Sequence, residues 1–196
     1  MEHHSVLRLA RLLRVMVLAV FGICLFSLVL TPGFAALLAD GGPDMVRRAF
    51  AAAFDLPGYE GQGFKSLPMF FVICLWAVWT QLDTALLTLF YWLCGLCVLT
   101  VLWQAKLVLD TILKGEPFQM TNARALKRAA VACWVISGGA FTRLVAWLWA
   151  ERGPAPLFTY NALFIPAFLM AGLLFLVMSA LFRQAAELKE DQDLTI

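Results

Sequence analysis

The sequence predicts an all-α integral membrane protein, a four-helix transmembrane bundle with an additional short outer interfacial or re-entrant helix and both termini in the cytoplasm. Hydrophobic residues make up 62% of the 196-residue chain and charged residues 14%, and the mean hydropathy is +0.83. These values differ strongly from those of ordinary soluble domains. Four apolar stretches are long enough to cross about 30 Å of hydrocarbon. The lysines and arginines between them are concentrated on one predicted side of the membrane.

The first predicted span covers about residues 12–38, and three arginines precede it. Arg8, Arg11 and Arg14 place the N-terminus in the cytoplasm, because short loops rich in Lys and Arg stay inside. The apolar run is longer than the ~7–15-residue core of a secretory signal peptide, and no A-x-A cleavage site follows it. We therefore predict an uncleaved membrane anchor.

The outer loop, residues 39–83, mixes acidic and basic residues and is therefore expected outside the cytoplasm. Within it, Asp44 is a candidate N-cap for a helix at residues 45–54 with an apolar face. Residues 67–80 form an apolar stretch of about 14 residues, a length typical of re-entrant or interfacial segments. We interpret this stretch as interfacial or re-entrant, or as an extension of the second span. If it crossed the bilayer by itself, the basic connection after the second span would lie outside.

Three further spans complete the predicted single membrane domain, at about residues 84–109, 129–149 and 160–182. A basic cytoplasmic turn, residues 110–128, connects the second and third spans, and a cytoplasmic tail occupies residues 183–196. With four crossings, both ends of the chain lie on the same side of the membrane. The excess of Lys and Arg identifies that side as the cytoplasm.

The turn between the second and third spans has the most distinctive polar sequence of the chain. Gly115 is expected to end the second span in a left-handed C-cap, and Pro117 prevents the helix from continuing. Phe118 is expected to fold back onto the apolar helix ends. Thr121 or Asn122 is then a candidate N-cap for the third span. Together these residues predict a rigid turn.

Charges near the turn are expected to form local ion pairs and a docking contact. Asp110 has Lys106 and Lys114 four residues away on either side, which predicts helical ion pairs. The first turns of the third span carry three cations, Arg124, Lys127 and Arg128. The tail carries an acidic group on the same side of the membrane, consisting of Glu187, Glu190, Asp191 and Asp193. We expect the basic turn and the acidic tail to attract each other modestly and in a salt-dependent manner, because these charges are exposed.

Ionisable residues inside a bilayer are costly and are therefore candidates for function. Asp83 lies at the start of the second span and Arg143 lies inside the outer end of the third, so we predict an Asp83–Arg143 ion pair in the outer leaflet. Its role stays open between a structural lock and a transport or sensing element. Arg143 could also extend to the headgroups without a partner.

The cysteines lie in apolar helical stretches and are interpreted as packing residues. Cys94 and Cys97 match C-x-x-C, but no strand or polar ligand set surrounds them. Ala129, Cys133 and Ser137 recur every four residues, and such a small-residue stripe is typical of close packing within a bundle or across a dimer. The sequence contains no hydrolase, nucleotide-binding or zinc-protease motif. We therefore predict no enzymatic activity, no catalytic residue, no metal site and no cofactor.

The turn and the last residues together carry a sequence signature. It consists of Gly115, Pro117, Phe118, Asn122, Leu126 and Lys127 in the turn, and of Asp193, Leu194, Thr195 and Ile196 at the end. These residues resemble the G-x-P-F-x-x-x-N-x-x-x-L-[KR] turn and the terminal D/E-L-T-[IV] of a bacterial family catalogued as domain of unknown function 2975. The resemblance implies a small multi-pass protein of the bacterial cytoplasmic (inner) membrane with no known reaction. Genes of this family often lie beside a gene for a small helix-turn-helix regulator, which implies a membrane partner that controls such a regulator.

We predict a non-enzymatic regulatory protein whose cytoplasmic turn and acidic tail bind a small soluble partner, such as a helix-turn-helix DNA-binding regulator. The candidate docking residues are Gly115, Pro117, Phe118, Asn122, Arg124, Lys127, Arg128, Asp193, Leu194, Thr195 and Ile196. The other expected partners are the lipid bilayer and further copies of the chain in a homo-oligomer. Direct contact with nucleic acid is not expected.

Three alternatives stay open. The turn could be purely structural, with a tail that only helps insertion. The chain could be a small transporter or channel subunit that works as an oligomer, for which the available polar residues are Asp83, Gln104, Arg143 and Asn161. It could also be an accessory subunit of a larger membrane complex.

Overall fold

The computed structural model describes residues 2–38, 44, 48, 51, 67–77, 82–116, 118–151 and 160–193. The elements in these residues are five α-helices: α1 (Glu2–Leu38), α2 (Leu67–Ala77), α3 (Leu82–Leu113), α4 (Met120–Glu151) and α5 (Tyr160–Asp193). Within the described residues, the four helices α1, α3, α4 and α5 are long and apolar enough to cross a membrane. This confirms the predicted all-α membrane architecture.

The long helices extend beyond the predicted spans. Each of the four predicted spans lies inside one long helix, and α4 and α5 contain 32 and 34 residues. About 20 residues are enough to cross the hydrocarbon core. In α5 the surplus lies at the C-terminal end, because the helix continues past Phe182 to Asp193. The beginning of the tail is therefore helical for about three turns.

The segment before α3 contains a short helix. Helix α2 has 11 residues, which span about 16 Å, roughly half of the hydrocarbon thickness. The interfacial or re-entrant position of this segment stays a prediction. Whether it continues into α3 depends on residues 78–81, which lie outside the described residues. The helix predicted at residues 45–54 also lies largely outside them.

Contacts divide the chain into two compact units, of which the first contains Met1–Cys24 and Leu96–Ile196 and the second contains Leu25–Gly95. The boundaries fall inside α1 and α3, so both helices contribute to both units. The turn and the tail belong to the first unit. The two units are described separately below.

In the second unit, α1 and α3 approach each other closely around Leu28. Pro32 lies within α1 and has no N–H to donate to the carbonyl of Leu28 four residues earlier. Trp92 of α3 donates its indole N–H to this carbonyl, with 3.2 Å between nitrogen and oxygen. Gly95 leaves room for this approach, because a Cβ there would overlap the side chain of Leu28. An unpaired carbonyl is expensive in lipid, and this contact removes that cost.

In the first unit, α4 is the central helix. In the most apolar stretch of α4, 44% of the residues are buried, compared with 6% or fewer in the corresponding stretches of the other three long helices. The predicted small-residue stripe of Ala129, Cys133 and Ser137 is buried, with 4% or less of each residue exposed. Small side chains let neighbouring backbones approach closely, which is the main source of packing energy between membrane helices.

Helices α4 and α5 pack against each other as an antiparallel pair. Ser179 of α5 donates a hydrogen bond to the carbonyl of Ala123, at 2.6 Å. Fourteen residues further along α4, Ser137 donates to the carbonyl of Ile165, at 2.9 Å. Both contacts join a buried serine hydroxyl on one helix to a backbone carbonyl on the other. They fix the register of the pair at two separate heights.

Between these two contacts, α5 carries Gly172, which is buried. A Cβ at this position would lie 3.2 Å from the carbonyl oxygen of Ala130 and would overlap the indole of Trp134. Gly172 is seven residues from Ser179, and Ala130 is seven residues from both Ala123 and Ser137. This spacing is the heptad repeat of left-handed helix pairs, with small or hydrogen-bonding residues along the seam.

Candidate functional site

The turn between α3 and α4 is fixed first by the end of α3. Gly115 has a φ of +80°, in the left-handed region. The N–H of Gly115 donates to the carbonyl of Ile112, and the N–H of Glu116 donates to the carbonyl of Thr111, both at 3.1 Å. This pair of hydrogen bonds is a Schellman motif, which satisfies carbonyls that the helix end leaves open. The predicted C-cap at Gly115 is confirmed, whereas Pro117 lies outside the described residues.

The start of α4 differs from the prediction. The helix begins at Met120, so the N-cap position is Gln119, and the prediction of Thr121 or Asn122 as the cap is wrong. The amide of Gln119 bonds to the carboxylate of Glu116, and Thr121 donates to the side-chain oxygen of Gln119 at 3.1 Å. A side-chain network therefore replaces the expected single cap. The sequence pattern favoured Thr and Asn because of their general preference for this position.

Asn122 joins the two helices instead of capping one. Its side-chain amide donates to the hydroxyl of Thr111 on α3, at 2.6 Å, and that hydroxyl donates to the carbonyl of Val108, at 2.7 Å. Only 1% of Asn122 is exposed. A buried and hydrogen-bonded side chain stabilises the turn but presents no surface to a partner. Asn122 is therefore a structural residue of the turn.

Phe118 packs back onto the bundle, as predicted. Its ring centroid lies 5.9 Å from that of Phe182 on α5. The side chain still remains 48% exposed. Beside it lies an open groove of about 460 Å³ between the turn and α5, lined by Phe118, Gln119, Met120, Thr121, Ala186, Lys189 and Glu190. The groove thus combines an exposed aromatic ring with polar and charged side chains.

The three cations at the beginning of α4 are exposed. Arg124, Lys127 and Arg128 all have accessible side chains within the first turns of the helix, while their neighbours Ala123 and Ala125 are buried. Among the described candidate docking residues, the large side chains that are exposed to solvent are therefore those of Phe118 and these three cations. Gly115 and Asn122, which the sequence placed in the same group, build the turn that carries them.

Asp110 has a different partner from the one predicted. Its Oδ1 lies 2.8 Å from Nε of Arg14 on α1, although the two groups are not aligned as a hydrogen bond. Lys106 instead places its ammonium 4.6 Å from the ring centre of Trp103, a cation–π contact. Among the described residues, the predicted pairs of Asp110 with Lys106 and Lys114 do not form. Spacing along one helix cannot reveal a competing cation on another helix.

The acidic end of α5 is only partly described. Glu187 accepts a hydrogen bond from Arg183, one turn earlier in the same helix, at 2.8 Å. Glu190 lines the groove beside the turn, and Asp191 is exposed. The side chain of Asp193 and residues 194–196 lie outside the described residues. The predicted attraction between turn and tail therefore stays a prediction.

The predicted Asp83–Arg143 ion pair is also untested. The side chain of Asp83 lies outside the described residues, and Arg143 is partly buried in α4. Within the described residues, no group of three or more His, Cys, Asp or Glu side chains is placed to hold a metal ion.

The model of a family described as "Protein of unknown function (DUF2975)" matches residues 51–196, about three quarters of the chain. The matched range contains the whole turn and the whole tail. No curated protein and no solved structure matches the chain.

Proposed function

The chain belongs to the DUF2975 family of proteins of unknown function, and from that membership we propose that it is a non-enzymatic regulator in the bacterial inner membrane. In this proposal the turn and the acidic end of α5 bind a small soluble partner in the cytoplasm. The partner is a DNA-binding regulator of the helix-turn-helix type. Binding holds it at the membrane and away from DNA.

The exposed part of the turn is the observation that carries the proposal. Arg124, Lys127 and Arg128 are accessible, and Phe118 lies half exposed beside an open groove. Aromatic and arginine side chains are the residue types that contribute most to binding at protein interfaces. Such a surface on a cytoplasmic helix hairpin suits a soluble partner.

The rigidity of the turn supports the same proposal. The Schellman motif at Gly115 and the hydrogen bond from Asn122 to Thr111 hold the ends of α3 and α4 together. A surface that is ordered before binding loses less entropy when the partner arrives. Gly115 and Asn122 thus hold the turn that presents the exposed residues.

The charge of the α5 end favours a DNA-binding partner. Glu190 and Asp191 are exposed close to the C-terminal end of the helix. Proteins that bind DNA present a cationic surface to the phosphate backbone. An acidic helix end complements such a surface, and its occupation by the membrane protein would compete with DNA. The cations of the turn would then contact a different, acidic part of the same partner.

A capture experiment from native membranes tests the proposal. The tagged chain is crosslinked in its own host, purified, and its soluble partners are identified by mass spectrometry. We expect the triple variant Arg124→Gln, Lys127→Gln, Arg128→Gln to recover the partner about tenfold less well, since three exposed charge pairs contribute about 0.2–1 kcal/mol each. Removal of residues 191–196 is expected to weaken recovery as well.

The matched control is Arg8→Gln with Arg11→Gln, which removes exposed cations from α1 on the same predicted side of the membrane. Topology is checked in each variant, since these residues also help to orient the chain. Unchanged recovery in both the triple variant and the truncated chain would refute the docking role. If vesicle binding falls while recovery stays constant, the cations contact anionic lipid headgroups instead.

A transporter or channel subunit, or an accessory subunit of a larger complex, stays an alternative drawn from the sequence alone. No observation in the described helices favours either of them over the regulator.

A further inference from the structure

An open groove of about 490 Å³ lies on the exposed face of α1 near its N-terminal end, and we refer to it as the α1 groove. It is lined by Arg8, Arg11, Leu12, Val15 and Met16, all of which are exposed. In the most apolar stretch of α1 no residue is buried. Most of this helix therefore faces its surroundings, which are lipid for a segment that crosses a membrane.

Two contacts with α3 show the height of the α1 groove along the bundle. Arg14 lies beside Asp110, and Phe21 lies beside Trp103 with 6.0 Å between the ring centroids. The two helices are therefore antiparallel here, so a step back along α1 matches an equal step forward along α3. Arg11 consequently lies level with the C-terminal end of α3. This is the height of the headgroups in the predicted cytoplasmic leaflet.

The three arginines at the beginning of α1 differ in their partners. Arg14 pairs with Asp110 of α3. Arg8 and Arg11 are exposed, and among the described residues neither forms an ion pair. They lie three residues apart and are therefore neighbours on one face of the helix. The α1 groove thus has two uncompensated positive charges at its end nearest the predicted cytoplasm.

The surface of the α1 groove is almost entirely apolar, although two of its five residues are arginines. The arginines therefore contribute mainly their aliphatic stems. Side chains of a helix lean toward its N-terminus, which carries the guanidinium groups toward the headgroup end of the groove. From Arg8 to Met16 the helix rises about 12 Å, enough to pass from headgroups to acyl chains. This pattern complements an amphiphile with an anionic head.

We propose that the α1 groove binds an anionic phospholipid of the cytoplasmic leaflet. Its phosphate lies between Arg8 and Arg11, and one of its acyl chains lies along Leu12, Val15 and Met16. Guanidinium groups match phosphate oxygens in both charge and geometry. A zwitterionic lipid fits less well, because its own ammonium group already neutralises the phosphate. The α1 groove does not include the turn, so the lipid site is independent of the proposed capture of a soluble partner.

Photolabelling in lipid nanodiscs tests the site. The nanodiscs consist of phosphatidylcholine with a small fraction of a probe lipid, either phosphatidylglycerol or phosphatidylcholine, that carries a diazirine in one acyl chain. Labelled peptides are identified by mass spectrometry. We expect the phosphatidylglycerol probe to label residues 12–16 about fivefold more than the phosphatidylcholine probe does at the same mole fraction. Two exposed charge contacts account for a preference of this size.

Variants at the two arginines separate the charge from the apolar surface. In Arg8→Gln with Arg11→Gln, both probes should label residues 12–16 equally, because the cations are gone and the apolar side chains remain. Arg8→Lys with Arg11→Lys should keep the preference for phosphatidylglycerol. Topology is checked in each variant. If the double Gln variant does not insert normally, the two Gln substitutions are compared singly, since each leaves two arginines before the span.

The matched control is the triple Gln variant of the exposed cations of α4, which removes more positive charge from the same predicted side of the membrane. It should leave the labelling of α1 unchanged. A loss of preference as large as in the double variant would overturn the proposal, because the preference would then come from overall charge.

Equal labelling by the two probes in the wild-type protein would also overturn the proposal, since the α1 groove would then contact bulk lipid without selection. Absence of label at residues 12–16 with both probes would overturn it as well. In that case another protein, such as a second copy of the chain, covers this face of α1.

Discussion

The residues of the α3–α4 turn have two roles. Some fix the geometry of the turn, and others present side chains at its surface. Asn122 is buried and Gly115 holds the left-handed end of α3, whereas Arg124 and Lys127 present their side chains at the surface. A sequence signature does not distinguish these two roles, because a buried amide and an exposed guanidinium are equally polar in a sequence. Burial removes Asn122 from the candidate binding surface, and the left-handed backbone identifies Gly115 as a residue that builds the turn.

We predict that Gly115→Ala destabilises the folded protein by about 1–2 kcal/mol, the cost of a left-handed backbone for a residue with a Cβ. The measurement is an unfolding titration of the detergent-solubilised protein with dodecyl sulfate. Gly138→Ala is the control, since Gly138 has open space around it and no positive φ. It should be neutral or slightly stabilising. Equal losses in the two variants would contradict a special role for the backbone at Gly115.

At the scale of single residues, the sequence predicts contacts between residues that are close together in the chain. The C-cap at Gly115 and the inward packing of Phe118 follow from nearby residues, and both were expected. The contact between Arg14 and Asp110 could not be expected, since it joins residues from two helices. The same holds for Asn122 and Thr111, whose pairing depends on how the ends of α3 and α4 meet.

At the scale of the elements, the length of each apolar stretch predicts which segments form long helices, but it does not predict which faces of those helices pack together. The spans follow from about 20 apolar residues in each stretch. The packing of α4 on α5 follows from a seven-residue spacing of small residues on both helices, which is visible only when the two sequences are aligned in register. The predicted small-residue stripe at Ala129, Cys133 and Ser137 is buried but shares only Ser137 with this seven-residue series.

We predict that Gly172→Val destabilises the α4–α5 pair by about 1–3 kcal/mol, as is usual for overpacked sites. A side chain here would overlap Trp134 and press on the carbonyl of Ala130. Gly22→Val is the control, since nothing surrounds Gly22 within 4 Å. Addition of Trp134→Ala to Gly172→Val should recover part of the loss, because it removes the overlapping indole. The stability of these three variants and of the wild-type protein is compared in the same unfolding titration.

At the scale of the whole molecule, the architecture follows from composition and from the distribution of charge. The family match covers the turn and the tail, whose residues carry the resemblance described in the sequence analysis. The groove beside Phe118 could not be predicted, because it depends on how well side chains of the turn and of α5 fill the space between them.

Orientation is tested by cysteine labelling in a chain whose own cysteines have been replaced. We predict that labels near Met1, Lys114 and Ile196 react from the cytoplasmic side and that labels near Gly61 and Pro154 react from the outer side. The positive-inside rule is the reason for this prediction. If a label near Lys114 reacts from the outer side, residues 67–80 cross the membrane and the predicted number of four crossings is wrong.

The contact between Trp92 and the carbonyl of Leu28 constrains the order in which this sequence could have changed over evolution. With Pro32 present, loss of the indole leaves a carbonyl unpaired in lipid, which is expensive. With an ordinary residue at position 32, the backbone N–H would bond to the same carbonyl and the indole would be dispensable. Pro32 is therefore tolerated most easily in a chain that already has Trp92. A descendant that keeps Pro32 cannot replace Trp92 without leaving the carbonyl of Leu28 unpaired.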